Sequence, residues 1–214
     1  MGKLAVQVFD SLVLDKVIAE YKIFEVPEEI PDKEFDIIFS ASYPTRVTDE
    51  VCTRAKMAAL NIHTGLLPQQ RGSNPLNWAL IWGDKTTGVT IHKMVRPMDA
   101  GDIVLQSPVQ IENKDNILTL TEKCKESFVR LIKMFFETPE TYLRHSAKQN
   151  QAMSSYAQKR YPEDSELNLN VSAKELYNLF RSCDPADYPA YVVKDGKKVI
   201  VKRVTQEGKI TYDD

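Results

Sequence analysis

The run Phe35-Asp36-Ile37-Ile38-Phe39-Ser40-Ala41 limits the possible folds more than any other stretch of this chain. Successive side chains of a strand point to opposite faces, so apolar residues at consecutive positions need cover on both sides. The run therefore reads as a buried parallel strand. Leu4 to Phe9 is a shorter apolar strand, Asp10 or Ser11 can cap a helix from Leu12 to Tyr21, and Ile23 to Val26 resumes strand character before Pro27 and Pro31. A helix from Thr48 to Ala58 follows, then a strand from Ala59 to His63. Alternating strands and helices predict an open α/β sheet. Such sheets bind ligands at the carboxyl ends of their strands, where His63 falls. The chain contains neither G-x-G-x-x-G nor G-x-x-x-x-G-K-[ST], and its first strand-to-helix turn, Phe9-Asp10-Ser11, has no glycine. Neither familiar nucleotide-phosphate loop is present, which excludes an NAD-binding sheet.

The densest chemistry lies between Asn61 and Gln106: NIHTGLLPQQRGSNPLNWALIWGDKTTGVTIHKMVRPMDAGDIVLQ. Asn61 and His63 are two residues apart, so in an extended segment both polar tips face one side. A loop broken by Pro and Gly (Leu67 to Pro75) leads to a short helix with Trp78 and Trp82, then to a strand from Gly88 to His92. Asp99-Ala100-Gly101-Asp102 is a carboxylate-rich turn before a strand from Ile103 to Gln106, extended by Pro108 to Ile111. Thr119 to Phe136 is an amphipathic helix whose Leu120, Cys124, Phe128, Leu131, Ile132 and Phe135 recur near 3.6 residues and make a core stripe. Residues 147–164 are polar and read as a linker between a catalytic domain (1–146) and a small α+β module (165–214). In that module Ser172 opens a helix through Arg181. Tyr191 to Val201 forms a hairpin about Asp195-Gly196, suited to a type I′ turn, and a third strand runs from Lys209 to Tyr212.

Composition narrows the class. The 214 residues are 43% hydrophobic and 27% charged, which is globular. No apolar run approaches the roughly 20 residues of a bilayer span, and MGKLAVQVFD lacks a signal-peptide cleavage pattern. Cys52, Cys124 and Cys183 are scattered and odd in number, which fits reduced thiols better than a disulfide framework or a zinc site. The net charge of −2 and pI near 6.0 argue against a nucleic-acid partner. The expectation is a cytoplasmic protein with no membrane partner and no metal.

The stretch Asn61 to Gln106 closely resembles the core of the formyltetrahydrofolate-dependent formyltransferases. These include methionyl-tRNA formyltransferase, glycinamide ribonucleotide formyltransferase and the sugar-nucleotide N-formyltransferases. Arg160-Tyr161-Pro162-Glu163-Asp164, Glu175 to Arg181 and Tyr188-Pro189-Ala190 resemble the segment after the catalytic domain in the tRNA and sugar branches. The resemblance runs from about Phe35 to Arg203. It implies a Rossmann-like open sheet with a shortened N-terminal half and a small C-terminal extension. It also implies 10-formyltetrahydrofolate as co-substrate and Asn61, His63 and Asp99 as the catalytic trio. The reaction passes a formyl group to a primary amine through a tetrahedral, oxyanion-bearing transition state. The carboxamide of Asn61 can donate to that oxyanion. His63 can take the amine's proton or, as imidazolium, support the oxyanion. Asp99 would orient His63 and raise its pKa. No nucleophilic residue is required, so direct transfer in a ternary complex is expected.

By the same resemblance the pterin lies against Ser42 to Val47 and the approach to Asp99, making Tyr43, Pro44, Thr45, Arg46, Val47 and Arg96 the donor-binding residues. Thr64, Gly65 and Arg71 are the expected substrate contacts. Thr64-Gly65 stands where many relatives have Pro-Ser, and Gly65 is expected to open room for a bulky acceptor. His92 and His145 are read as structural and surface residues, and Asp102 as secondary to Asp99. Spacing gives no glycosidase pair of Asp99 and Asp102.

From Tyr161 onward the tail holds eight Lys and Arg against ten Asp and Glu, unsuited to a tRNA backbone. Lys197, Lys198, Lys202 and Arg203 are sized for a pyrophosphate or form a solvated strand face. The expected acceptor is the amine of a nucleotide-linked amino-dideoxy sugar. The alternatives are an aminoacyl group on tRNA or on a peptide-synthetase carrier, and a folate-binding module without activity. The intact trio speaks against the last. Resemblance to the sugar enzymes also implies a homodimer through the tail strands.

Overall fold

In the strand Ile37–Ala41 alternate side chains divide between two cores, as a run apolar on both faces demands. The computed structural model describes residues 4–7, 21–24, 26–41 and 46–212, with the backbone alone at 4–7 and 21–23. Among these residues a six-stranded sheet forms from β1 (Leu4–Gln7), β2 (Tyr21–Ile23), β3 (Ile37–Ala41), β4 (Ala58–His63), β6 (Thr86–Lys93) and β7 (Ile103–Gln110), in the order β2-β1-β3-β4-β6-β7. The four strands from β2 to β4 are parallel, whereas β6 runs antiparallel to both β4 and β7. Two-residue β5 (Arg71–Gly72) pairs in parallel with β8 (Tyr156–Ala157) outside this sheet.

One face carries Ile37, Phe39, Leu60, Ile62 and Ile91 under α2 (Pro75–Trp82) and α3 (Ile117–Glu137), with Leu120, Leu131, Ile132 and Phe135 buried in the same cluster. The other carries Ile38 and Ala59 against Val51 and Ala55, next to α1 (Asp49–Thr53). Helices on both faces give the mixed α/β open sheet. α3 starts two residues before the expected Thr119 because Asn116 and Thr119 form a reciprocal capping box.

Several boundaries differ from expectation for visible reasons. The helix expected over Thr48 to Ala58 stops at Thr53, because the Lys56 and Met57 amides donate to the Phe35 and Asp36 carbonyls and draw the chain into β4. β2 covers Tyr21 to Ile23 in register with Leu4 to Val6, and Val26 precedes a short turn of 3-10 helix at Pro27–Glu29. The expected capped helix over residues 10–20 lies outside the described residues. Among the described residues no helix is long and apolar enough to cross a membrane.

Beyond a short α4 (Pro139–Arg144), residues 147–164 contribute β8 and several packed side chains. The tail builds α5 (Ala173–Ser182), capped by Ser172 and Glu175, against the meander β9 (Tyr191–Lys194), β10 (Lys197–Val204) and β11 (Ile210–Tyr212). Asp195 and Gly196 both have positive φ, as a type I′ turn needs. The tail is tied to the sheet body by Asn77 donating to the Ser182 carbonyl (2.8 Å) and Arg181 donating to the carbonyls of Glu112 (3.1 Å) and Asp115 (3.2 Å).

All three cysteines are free thiols, and burial pushes Cys124 up to about 12, leaving it un-ionised in the core.

Ile132 is wholly buried between α3 and the sheet. Ile132→Ala is expected to destabilise the fold by ~2–5 kcal/mol, read as a lower denaturant midpoint at unchanged slope.

Candidate active site

The pairing of β4 with β6 sets Asn61 directly opposite His92 and His63 opposite Thr90. Directly opposed residues share a sheet face, so β4 and β6 present Asn61 and His92 as neighbours, with His63 one pleat repeat away. The register of β6 on β7 shifts between Ile91 and His92, the kind of irregularity that re-aims a side chain beside a site. After β6 the chain loops out and returns, and Asp99 enters this face at a left-handed φ of 55°. The return is tight: at Gly101 a Cβ would lie 1.8 Å from the Lys93 carbonyl oxygen, so a side chain there would push the loop off the strand.

Four polar side chains converge. The Asn61 amide nitrogen lies 3.1 Å from His92 Nε2, and His92 Nδ1 donates to the Lys93 carbonyl at 3.0 Å. With Nδ1 protonated, neutral His92 keeps its Nε2 lone pair and accepts one of the two Asn61 N–H groups, which leaves the second available. His92 Nε2 is also 3.4 Å from Asp99 Oδ1, a contact that becomes a charge-assisted hydrogen bond when the ring is protonated. His63 Nδ1 is 3.7 Å from Asp99 Oδ2. At its other nitrogen, Nε2, His63 donates to the Gln70 carbonyl at 2.6 Å. That contact assigns the proton to Nε2 and leaves the Nδ1 lone pair on the Asp99 side.

Gln70 is itself held rigidly. Its side chain accepts from the Leu66 amide (3.1 Å) and the Thr87 hydroxyl (2.9 Å) and donates to Asp84 (2.8 Å). Asp99 receives the Gly72 amide on Oδ2 at 2.8 Å.

Burial pushes the His63 imidazole down; Asp99 and the Gln70 carbonyl pull it up, His92 pushes it further down, and the net direction is below the ordinary 6.5. Asp99 pulls the His63 value up as expected, but the net direction is down: only 7% of the side chain is exposed, and the lost hydration outweighs a carboxylate 3.7 Å away. For Asp99, burial pushes the carboxyl up, but the His92 contact, the His63 ring and the Gly72 amide together hold it below the ordinary 3.8. The site at neutral pH is an ionised Asp99 beside a neutral His63.

The structure brings Asn61, His63 and Asp99 together and adds His92, which the sequence reading set aside. Its signal was the alternation of β6, but only the register with β4 says which residue faces Asn61. Arg71 does not reach the cleft. It is 1% exposed, and its guanidinium donates to Gln149 Oε1 (3.1 and 2.6 Å), Gln151 Oε1 (2.9 Å) and the Tyr156 hydroxyl (3.2 Å), so its expected substrate contact is not made here. Gly65 opens no room for an acceptor. A Cβ there would sit 2.8 Å from His63 Nε2 and 3.0 Å from the Gln70 carbonyl, because the imidazole itself fills the space. Thr64 is half-buried beside it.

Tyr43, Pro44 and Thr45 lie outside the described residues. Arg46 is exposed and paired with Asp49 at the start of α1, and Val47 packs on the smaller core. Arg96 lines a cavity of about 670 Å³ with Cys52, Ala55, Ala58, Ala59 and Met94, at the base of the loop that carries Asp99. Among the described residues no group of three or more His, Cys, Asp or Glu could hold a metal ion.

Residues 19–133 match the sequence profile of the formyl transferase family. The chain is 38% identical over 170 residues to the bifunctional polymyxin resistance protein ArnA of Wigglesworthia glossinidia brevipalpis, an alignment covering 78% of this chain but only 25% of that protein. The fold is similar to that of a 4-N formyltransferase from Francisella tularensis, with a TM-score of 0.75 and 20% identity over 94% of this chain and 96% of that one. It is also similar to HypX of Aquifex aeolicus in complex with tetrahydrofolic acid, with a TM-score of 0.74 and 19% identity over 98% of this chain and 40% of that one.

Because folding lowers the His63 value, the unfolded chain takes up that proton first as the pH falls. The stability is therefore present above 6.5 and is lost as the pH drops through the lower folded value. NMR titration of the ring is expected to give a His63 midpoint below 6.5, moved lower still in Asp99→Asn, where the upward pull is gone. A midpoint above that value would refute the electrostatic account.

Proposed function

The chain belongs to the formyl transferase family, and on that premise we propose that it is an N-formyltransferase moving a formyl group from 10-formyltetrahydrofolate to the amine of a nucleotide-linked amino sugar. The observation that carries this reading is the single cleft where the Asn61 amide, the neutral His63 and the ionised Asp99 meet. The donor supplies the formyl carbon. The cavity beside Arg96 is a candidate for its bicyclic head: its volume is that of a small-molecule site, and its lining mixes Ala55, Ala58 and Ala59 with Met94, Lys93 and Arg96.

In this mechanism each residue has one task. The free N–H of Asn61 donates to the formyl oxygen as negative charge develops there, and the bond from Asn61 to His92 keeps that N–H aimed. His63 is neutral, so it acts as the base: its Nδ1 takes one proton from the attacking amine, while the Nε2 hydrogen stays on the Gln70 carbonyl. Asp99 then faces an imidazolium at Nδ1 and stabilises it. As the carbon–nitrogen bond to the folate breaks, the His63 imidazolium gives that proton to the leaving folate nitrogen, so the acceptor leaves as a formamide and the imidazole is neutral again. No covalent enzyme intermediate is needed, so transfer is direct.

The acceptor assignment rests on the acidic balance of the tail. The family profile, which the sugar and tRNA enzymes share, does not decide it.

Mass spectrometry of a panel of amino-sugar nucleotides incubated with the protein and 10-formyltetrahydrofolate is expected to show one member gaining one CO. Asn61→Ala should lower kcat by about 10²–10³-fold, and His63→Ala should abolish turnover. The acid limb of kcat/KM is expected below the ordinary histidine value. Undiminished turnover in His63→Ala would sink the mechanism, and a panel with no formylated member would sink the acceptor.

A further inference from the structure

Arg71 and Gln149 form a buried polar pair, flanked by the more exposed Gln151 and Tyr156, that the proposed chemistry does not use. Its centre is Gln149, 8% exposed, whose two amide atoms face opposite ways. Oε1 accepts from both Nε and Nη2 of Arg71 (3.1 and 2.6 Å), and Nε2 donates to the carbonyls of Asp99 and Gly101, each at 2.7 Å. The orientation of this amide has no freedom. Arg71 has only donors, so the oxygen must face it, and the two carbonyls accept only. Among the described residues the Arg71 guanidinium meets neutral acceptors alone, Gln149, Gln151 and Tyr156, and its face lies 5.5 Å from the Tyr156 ring. Burying a cation without a carboxylate is costly, and the structure retains this one with every acceptor in place.

The same two-residue strand acts on Asp99 from the other end. The Gly72 amide, next in sequence to Arg71, donates to Asp99 Oδ2, and β5 is kept in place by pairing with β8. Asp99 sits in a left-handed backbone conformation that costs free energy for a residue with a Cβ. Bonds to its carbonyl and its carboxylate offset that cost. We propose that Gln149, oriented by Arg71, is the positioning residue for Asp99, and that this polar segment thereby sets the geometry of the Asp99–His63 pair.

The kinetic part of this inference rests on the formyl-transfer reading, whereas the structural part does not. The test is therefore read in two ways. The groups that face His63 are Asp99 from the loop and His92 from β6, and loss of the Gln149 bonds lets Asp99 move from both. In Gln149→Ala the NMR midpoint of His63, measured without substrate, is expected to fall. kcat is expected to drop about 10–100-fold, the cost of roughly an ångström of misplacement, with KM for the donor unchanged. Gln149→Glu is the sharper variant. It keeps an acceptor for Arg71 but loses both donated bonds, so it should behave as Gln149→Ala if positioning is the role and as the parent protein if filling and pairing are enough. An unmoved His63 midpoint in a folded variant overturns the proposal, as does a moved midpoint with unchanged kcat. If no acceptor is ever formylated, the titration alone decides and the proposal stands or falls apart from the activity. If neither variant folds, exchange of the Gln149 side-chain amide protons in the parent protein decides. Slowed exchange supports the two bonds, and exchange at the rate of a free amide overturns them.

Discussion

The antiparallel pairing of β6 on β4 is the constraint from which the site follows. It places His92 opposite Asn61, where a single hydrogen bond fixes the carboxamide. It also sends the chain out past Lys93 at the end of the sheet nearest Asn61, so the returning loop delivers Asp99 onto the same face. A one-residue slip would turn Asn61, His63 and His92 into the apolar cluster beneath α2 and α3 and expose Leu60 and Ile62. The hydrophobic pattern of the two strands thus protects the polar arrangement, since the cost of slipping falls on the core.

Electrostatics inside the cleft are a balance of burial against charge. His63 is almost wholly enclosed, and losing its hydration outweighs the attraction of Asp99, so the ring stays neutral. Asp99 is enclosed nearly as far, yet the Gly72 amide donates to its Oδ2, and either imidazole becomes a cation beside it once protonated, which together hold its carboxyl below the ordinary value. The difference between the two lies in what each group touches. A carboxylate gains from every donor that points at it, whereas an imidazole hydrogen bonded to a carbonyl gains little for its charged form. The pair is poised with a base and a counter-charge side by side, as proton removal from an amine requires.

The segment after α4 shows how a polar stretch of unremarkable composition becomes part of the site's frame. Gln149, Gln151, Ser155 and Tyr156 surround the Gln70–Gly72 strand and bond to Gln70 or Arg71, and Gln149 reaches across to the Asp99 loop. Gln70 in turn fixes the His63 tautomer. The residues that hold both partners of the proposed acid–base pair, Gln70 and Arg71-Gly72, are therefore themselves held by residues 78 and 85 positions further along the chain.

The amino-acid order by itself determined the strand and helix alternation, the sheet class, the core stripe of α3 and the convergence of Asn61 with His63, because these depend on local periodicity. A two-residue spacing on a strand, or a 3.6-residue recurrence on a helix, is a property of neighbours and can be read without knowing what lies across the gap. Asp99 was legible only through resemblance, since a turn carboxylate has no periodicity. The tertiary structure alone decided that His92 belongs with Asn61, that Arg71 is buried and bonded to Gln149, Gln151 and Tyr156, that Gly65 leaves room for the imidazole, and that burial keeps His63 neutral. Each of these turns on which distant groups touch a side chain and how much water they displace, and neither quantity is carried by spacing along one strand.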